Sequence, residues 1–231
     1  MRAARRLQVL SVVMAWTACV WVLPRSTFPQ TYTSGHEDTS GSACRPVSEK
    51  REDVGCYILA RQPVGSLPQR PLFWHLHTYP THEAAEAAKG PRGTIVEAFG
   101  KVWLLTIADG AWHPSGGEHV ATIGPLPLPA AEAFTAMYME ATFRPGGSVA
   151  AHRHPGPELW YTLSGEQCLE TPDGKTVARA GESTIIPGGT PMALLARGTE
   201  LRRSLVLILH DASQPASTYI QDWTPQGLCR G

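Results

Sequence analysis

The stretch that decides the fold is GGSVAAHRHPGPELWYTLSG, residues 146–165. Its two histidines, His152 and His154, are one residue apart, and alternate residues of a β-strand point to the same face. Both imidazoles are therefore expected on one side of a strand, with Arg153 on the other. A Pro-Gly-Pro turn follows, because proline cannot continue a hydrogen-bonded ladder. Glu158 then opens a second apolar strand that runs back past the histidine pair.

Two imidazoles and one carboxylate on neighbouring strands are the donor set of a three-ligand metal site. Such a triad leaves coordination positions open on a divalent ion, and a substrate can bind at these positions. The sequence therefore predicts a mononuclear metal site on His152, His154 and Glu158. Burying the three side chains together without an ion would leave an unpaired carboxylate, at a cost of several kcal/mol.

The spacing of this stretch, Gly-x5-His-x-His-x3-Glu-x6-Gly, resembles the first motif of the cupin superfamily without a gap. The second cupin motif is partly present in GESTIIPGGTPM, which keeps the spacing of its glycines and proline. The position that usually carries a fourth ligand, a histidine, is Met192, and the expected asparagine is Ala196. The resemblance covers about residues 134–211. It implies an all-β fold, the double-stranded β-helix of the cupin jelly-roll barrel.

Met192 bears on which metal the site prefers. The expected cofactor is one divalent ion, iron, manganese, nickel or zinc, because a carboxylate ligand prefers harder ions. A thioether is a soft ligand, so Met192 as a fourth ligand would make copper the expected metal. We interpret Met192 instead as an apolar wall beside a three-ligand site, since methionine fills irregular gaps well.

Residues on the same strand faces describe the expected substrate pocket. Trp160 and Thr162 follow Glu158 at alternate positions of its strand, and Met192 and Leu194 alternate on the strand after the second motif. An aromatic ring, a hydroxyl and apolar walls suit a small apolar or aromatic ligand better than a sugar or a nucleotide.

Composition excludes some classes of partner. Twenty Lys and Arg residues balance twenty Asp and Glu residues in a chain of 231, so no long-range field would attract nucleic acid. The twenty prolines and twenty-two glycines interrupt the chain too often for long helices and favour short strands joined by turns. The expected partner is therefore a small-molecule substrate or ligand, and not nucleic acid.

Residues 1–24 have the pattern of an export signal or membrane anchor, with arginines followed by an uncharged run from Leu7 to Leu23. We expect an exported protein, periplasmic or membrane-anchored, that contacts a membrane only through this segment. Residues 25–53 are rich in small and polar residues and are predicted to be a disordered linker.

Residues 54–130 are interpreted as a strand-rich N-terminal extension or as a degenerate first cupin half of a bicupin. Thr81, a run of helix formers and a closing glycine predict one short helix at about residues 82–89. The cupin metal-binding barrel is assigned to residues 131–212. Residues 213–231 are assigned to a C-terminal tail.

The cysteines beyond the N-terminal segment are Cys44, Cys56, Cys168 and Cys229, which allow three pairings in an oxidising compartment. Cys168 lies in a predicted barrel strand and is interpreted as a small buried apolar residue. One bridge among the other three is expected to tie down a terminus.

The remaining histidines are given structural roles. His75 and His77 share a strand face without a third ligand and are expected to form a satisfied polar pair. His113 and His119 flank a glycine-rich turn and are expected in exposed loops. His210 ends an apolar run and is expected to be a solvated strand end.

Two main hypotheses of function remain. The resemblance implies a metal-dependent enzyme, a dioxygenase-like oxidoreductase that acts on a small apolar or aromatic molecule, with no catalytic residue assigned beyond the ligands. The alternative is a non-catalytic exported cupin that binds a metal or a small ligand, and a third reading is a structural barrel with a vestigial site. A fold does not choose among them. The resemblance also implies a homodimer.

Overall fold

Fifteen β-strands and one α-helix account for most regular structure in residues 44–230, the part of the chain that the computed structural model describes. In chain order they are β1 (Arg45–Pro46), β2 (Gly55–Gly65), β3 (Phe73–Tyr79), α1 (His82–Ala88), β4 (Gly93–Ala98), β5 (Lys101–Ala108), β6 (Glu118–Ile123), β7 (Phe134–Phe143), β8 (Ser148–Arg153), β9 (Glu158–Ser164), β10 (Glu166–Thr171), β11 (Gly174–Arg179), β12 (Ser183–Ile186), β13 (Met192–Arg197), β14 (Arg202–Asp211) and β15 (Thr218–Tyr219). The predicted all-β class is confirmed.

The strands form three sheets. A six-stranded sheet has the order β1-β2-β7-β14-β9-β12, a five-stranded sheet the order β11-β10-β13-β8-β15, and a four-stranded sheet the order β4-β5-β3-β6. The six-stranded sheet shares one apolar core with the five-stranded sheet and a second with the four-stranded sheet. It is therefore the middle layer, and it is buried on both faces.

The barrel interior is the core between the six-stranded and five-stranded sheets, which we call the inner core. Its strands alternate, so that Met137 and Met139 of β7 face the inner core while Tyr138 faces the outer core next to the four-stranded sheet. Leu205 and Leu207 of β14 also face the outer core and are fully buried. Each such leucine contributes about 2 kcal/mol relative to an exposed position.

Residues 55–123 extend and cover the barrel. Strand β2 pairs with β7 and widens the six-stranded sheet, while β3 to β6 form the four-stranded sheet on its outer face. Within the described residues this region builds no second pair of facing sheets. Its assignment as an extension or as a degenerate cupin half stays a prediction. Strand β6 was not foreseen in the sequence.

The short helix α1 forms where the sequence predicts it. The Thr81 hydroxyl caps its first turn and accepts a hydrogen bond from the Ala84 backbone N–H at 3.2 Å. Ala85, which is fully buried, anchors the helix beside Leu104 of β5. The extension therefore contains one short helix, as predicted.

Both ends of the described chain are more ordered than predicted. Part of the predicted linker, residues 25–53, forms β1, which pairs in parallel with β2, and a 3-10 turn at Val47–Glu49. The predicted tail, residues 213–231, contains β15, which pairs with β8, and a second 3-10 turn at Leu228–Arg230. Disulfides hold both segments against the barrel.

The prediction for Cys168 is wrong, because Cys168 bonds to Cys229 while Cys44 bonds to Cys56. Cys168 lies on the face of β10 turned away from the inner core, where the C-terminal 3-10 turn meets it. The expected bridge among Cys44, Cys56 and Cys229 is the Cys44–Cys56 bond. The Cys168–Cys229 bond, which was not expected, ties down the C-terminal segment.

The predicted export signal or anchor, residues 1–24, lies outside the described residues. Between residues 44 and 230, no helix has the length and apolar composition needed to span a membrane.

Candidate metal centre

The chain turns tightly between the two histidines and the glutamate. His152 lies near the end of β8, His154 one residue beyond the strand, and Glu158 at the start of β9. The turn packs directly on the backbone of β14: a Cβ atom on Gly156 would lie 2.0 Å from the carbonyl oxygen of Leu209. Only glycine allows this approach, so Gly156 helps to place the candidate ligands.

The three side chains meet in the barrel. One donor atom from each of His152, His154 and Glu158 lies within 4.8 Å of the others. The side chains are 5%, 4% and 2% exposed, so water does not compensate their polarity. Within residues 44–230 this is the one group of three or more His, Cys, Asp or Glu donors close enough to share an ion.

Backbone hydrogen bonds set the orientation of both imidazoles. His152 Nδ1 donates to the Ala150 carbonyl at 2.8 Å, and His154 Nδ1 donates to the Ala216 carbonyl at 2.6 Å. A carbonyl can only accept, so each Nδ1 carries the proton and each neutral ring keeps its lone pair on Nε2. This arrangement orients imidazoles that ligate a metal.

Two donor atoms of the group have no hydrogen-bond partner. Nε2 of His154 and Oε2 of Glu158 are 3.3 Å apart, but both lack an aligned hydrogen bond. Buried polar atoms are rarely left unsatisfied, and each costs about 1–3 kcal/mol. A divalent ion bound by the three side chains would satisfy both atoms, so the residues present fit a metal.

The histidines differ in their tendency to hold a proton. Burial, reinforced by the nearby His154, lowers the pKa of His152 and keeps its ring neutral. Burial acts to lower the pKa of His154, but the charge of Glu158, together with hydrogen bonding to Glu158 and to the Ala216 carbonyl, outweighs burial and raises the pKa. Protons therefore compete with a metal for Nε2 of His154, and metal affinity should fall as the pH falls.

Met192 lies on β13, the strand that pairs with β8 beside the candidate ligands. In the ladder between β13 and β8 it lies directly opposite His152, and it is 1% exposed. Its side chain packs in the inner core with Leu194 and Trp160, as expected of an apolar wall. That Trp160, Thr162, Met192 and Leu194 contact a substrate stays a prediction; all four are buried in the barrel.

His210 differs from its prediction as a solvated strand end. It lies inside β14, on the same strand face as the inward-pointing Ile208, and is 6% exposed. Its Nδ1 donates to the Asp211 carbonyl at 2.8 Å and its Nε2 has no partner. Burial lowers its pKa, and the charges of Arg61 and, to a smaller extent, His154 act in the same direction. His210 is thus a titratable group on the face that carries the metal centre.

Arg202 is the residue that the sequence interpretation missed. It opens β14, is fully buried, and stacks with its guanidinium carbon 4.5 Å from the Trp160 ring centroid. A signal was available, because Arg202 alternates with Ser204, Val206 and Ile208 and so shares their inward face.

The histidines of the four-stranded sheet are partly as predicted. His75 is satisfied, with Nε2 bonded to the Asp109 carbonyl at 2.9 Å and Nδ1 to the Thr122 hydroxyl at 3.2 Å. His77 is not, since its Nδ1 has no partner. His119 is exposed but belongs to β6, directly opposite His77.

Comparisons with known proteins agree with this architecture. A family model described as a cupin domain matches residues 139–208. No curated protein matches the chain.

Solved structures resemble the chain at low identity. A cupin superfamily protein from Desulfitobacterium hafniense is 22% identical with a TM-score of 0.31, over 33% of this chain and 68% of that chain. A protein with a double-stranded β-helix domain from Klebsiella pneumoniae is 20% identical with a TM-score of 0.34, over 38% and 71%. An oxalate oxidase is 23% identical with a TM-score of 0.32, over 38% and 46%.

Proposed function

Residues 139–208 belong to the cupin superfamily, and from this premise we propose that the chain is a metal-dependent cupin that acts on a small organic molecule. The finer proposal is a dioxygenase-like oxidoreductase with one mononuclear divalent metal held by His152, His154 and Glu158. The observation that carries it is that both imidazoles hold their proton on Nδ1, while Nε2 of His154 and Oε2 of Glu158 are buried side by side without a hydrogen-bond partner in residues 44–230.

The residues of the barrel have separate roles in this proposal. A bound metal would supply Lewis-acid and redox chemistry at its open positions. The carbonyls of Ala150 and Ala216 fix the two imidazoles and keep Nε2 free of a proton. Trp160 and Met192 keep water away from the ligands, because both side chains are buried beside them. A dry site strengthens every charge interaction within it.

A group that can hold a proton besides the metal ligands favours an enzyme over a binding protein. His210 supports the enzyme hypothesis, because its Nε2 is free and its side chain shares the inner face of β14. At neutral pH its lowered pKa leaves it neutral and able to accept a proton from a substrate.

The close packing of the barrel favours a second candidate function. Trp160, Met192 and Leu194 belong to one apolar cluster, as expected of a barrel that holds a metal or captures a ligand without turnover. This candidate is a non-catalytic exported cupin. The two disulfides support export in either case, since such bonds persist in oxidising compartments.

The experiment that tests the proposal uses the full chain, loaded in turn with Fe(II), Mn(II), Ni(II), Zn(II) and Cu(II). Oxygen uptake and substrate loss are followed with a panel of small aromatic and aliphatic compounds. We expect turnover with iron or manganese, and about a hundredfold slower turnover in His210→Gln with unchanged metal content. Binding of a panel compound without turnover in any metal form would support the non-catalytic cupin. Failure to bind any metal would contradict the metal-dependent cupin and leave only a barrel that captures a ligand.

A further inference from the structure

The guanidinium of Arg202 is buried, and no carboxylate of residues 44–230 forms an ion pair with it. Its Nε donates to Gln167 Oε1 at 2.9 Å, and its Nη2 donates to the same oxygen. Its Nη1 has no hydrogen-bond partner. The rings of Trp160 and Phe143 lie on its faces, with centroids 4.5 Å and 5.4 Å from the guanidinium carbon. A charged N–H group is thus left over inside the barrel.

Other hydrogen-bond donors in this part of the barrel are also unpaired. Gln167 Nε2, Trp160 Nε1 and Thr162 Oγ1 are buried and have no partner. Thr162 lies opposite Ser204 in the ladder between β9 and β14, and Ser204 bonds to Gln167, so these residues are neighbours. The amide and indole nitrogens can only donate. What is missing from this group is an acceptor.

The positive charge of Arg202 inside the barrel is not fully balanced by a negative group. Burial lowers the pKa of Arg202 to about 9, so the side chain remains charged at neutral pH, and its charge interacts with that of Glu158. The other buried carboxylates are already paired: Glu140 receives Lys50 Nζ at 2.6 Å, and Glu170 accepts the backbone N–H groups of Gln226 and Gly227. When Glu158 binds a divalent ion, the interior therefore keeps an excess of positive charge.

We propose that the barrel binds a small organic carboxylate whose carboxylate group is held by Arg202, Gln167 and Trp160. A water molecule can accept hydrogen bonds but cannot offset the guanidinium charge. The apolar walls formed by Met139, Leu194 and other inner-core residues suit a carbon skeleton better than an inorganic anion. The proposal rests on the proposed metal centre and adds a substrate class to it.

The position of the donors fits a ligand that also reaches the metal centre. Trp160 is two residues along β9 from Glu158, which separates their Cα atoms by about 7 Å. The guanidinium stacked on Trp160 therefore lies roughly one small molecule away from the ligands. A carboxylate held there would present the rest of its skeleton towards the open metal positions.

The test compares carboxylates with their amides, which have the same shape without the charge. Acetate, propionate and benzoate are titrated beside acetamide, propionamide and benzamide into metal-loaded and metal-free full chain, with calorimetry and thermal unfolding as readouts. We expect at least one carboxylate to bind roughly tenfold or more tightly than its amide. We expect this preference to be larger in the metal-loaded protein.

Two variants separate binding at Arg202 from a general attraction of anions. Gln167→Glu places a carboxylate beside the guanidinium, so it should raise the unfolding temperature and abolish carboxylate binding. Arg203→Met lowers the net charge by the same amount at the neighbouring position, whose side chain points to the other face of β14 and is partly exposed. Arg203→Met should keep full carboxylate affinity. Arg202→Met removes the guanidinium but also leaves a buried gap that can destabilise the barrel. A loss of carboxylate binding in Arg202→Met is therefore interpreted only beside the result for the single variant Gln167→Glu.

Three results would overturn the proposal. Carboxylate affinity in Gln167→Glu equal to that in Arg203→Met would show that the carboxylate binds elsewhere. If inorganic phosphate binds as tightly as the best carboxylate, the site takes inorganic anions. Metal binding without preference for any carboxylate over its amide would leave the metal centre standing and remove this inference. If the chain takes up no metal but still binds a carboxylate, the carboxylate site is supported and the proposed metal-dependent function is contradicted.

Discussion

Single atoms decide the chemistry of the candidate site. The Nδ1 atoms of both imidazoles donate to the carbonyls of Ala150 and Ala216, which leaves Nε2 of each ring as the atom that can bind an ion. Nε2 of His154 lies 3.3 Å from Glu158 Oε2. In the metal-free protein, the unsatisfied polar atoms of His154 and Glu158 lower the stability of the folded state. Metal binding should therefore stabilise the fold as well as equip the site.

Met192 should be a wall and not a ligand. Met192→Leu keeps the apolar volume and removes the sulfur, so we expect a loss of about 1 kcal/mol of unfolding free energy and unchanged metal content. Met192→His is the matched variant, because it places an imidazole directly opposite His152. It should tighten zinc binding, measured by competition with a chelator. Loss of bound copper in Met192→Leu would show instead that the thioether is a ligand.

The turn between β8 and β9 depends on contact between backbones. Gly156→Ala would place a methyl group against the Leu209 carbonyl, and Gly188 also packs on Gly156 at distances that leave no room for Cβ. We expect Gly156→Ala to cost about 3 kcal/mol and to weaken metal binding, as measured by denaturant unfolding and metal titration. In the control Gly90→Ala the new Cβ would meet Trp112 at an ordinary 3.6 Å. Equal stability of the two variants would contradict this role of the turn.

The four-stranded sheet should lose stability in mild acid through His77. Burial, and then the charges of His119, His75 and His113, lower the pKa of His77 to about 4 from 6.5. Between these two values the unfolded chain binds a proton that the folded chain does not. Stability present above pH 6.5 should therefore fall as the pH is lowered and level off below pH 4.

The variant His77→Phe tests this pH dependence. It retains an aromatic ring between Trp112 and His119 and should flatten the dependence of the unfolding temperature on pH between 6.5 and 4. The exposed His113 is the control, and His113→Phe should leave most of the slope in place. A slope unchanged by His77→Phe would assign the acid sensitivity to other histidines.

Across the whole molecule, the two disulfides should differ in their contribution. The Cys168–Cys229 bond closes a loop of sequence separation 61 and the Cys44–Cys56 bond one of 12. Loop-closure entropy then gives about 4 kcal/mol for the longer loop and about 3 kcal/mol for the shorter. The serine double variant of the longer pair should unfold at the lower denaturant concentration. The reverse order would mean that the C-terminal segment stays docked without its bond.

The sequence predicts what local patterns control. Alternation in residues 146–165 predicts that His152, His154 and Glu158 lie close together, as they do. The Thr81 cap and the helix formers after it predict the position of α1. It does not reveal contacts between distant segments. The Cys168–Cys229 bond joins residues whose proximity only the folded barrel creates. Arg202 was missed because a charged residue beside an apolar run looks like a solvated strand end. In the folded chain the alternation of β14 directs its side chain into the core.

The most direct test of the central claim is the metal content of the full chain purified without chelators, measured by elemental analysis in wild type, His152→Ala and His119→Ala. His119 is an exposed histidine outside the barrel, so its variant controls for adventitious surface binding. We expect about one equivalent of a divalent metal in wild type and His119→Ala, and almost none in His152→Ala. Equal metal in all three proteins, or none in the wild type after reconstitution with each ion, would contradict a metal centre on His152, His154 and Glu158.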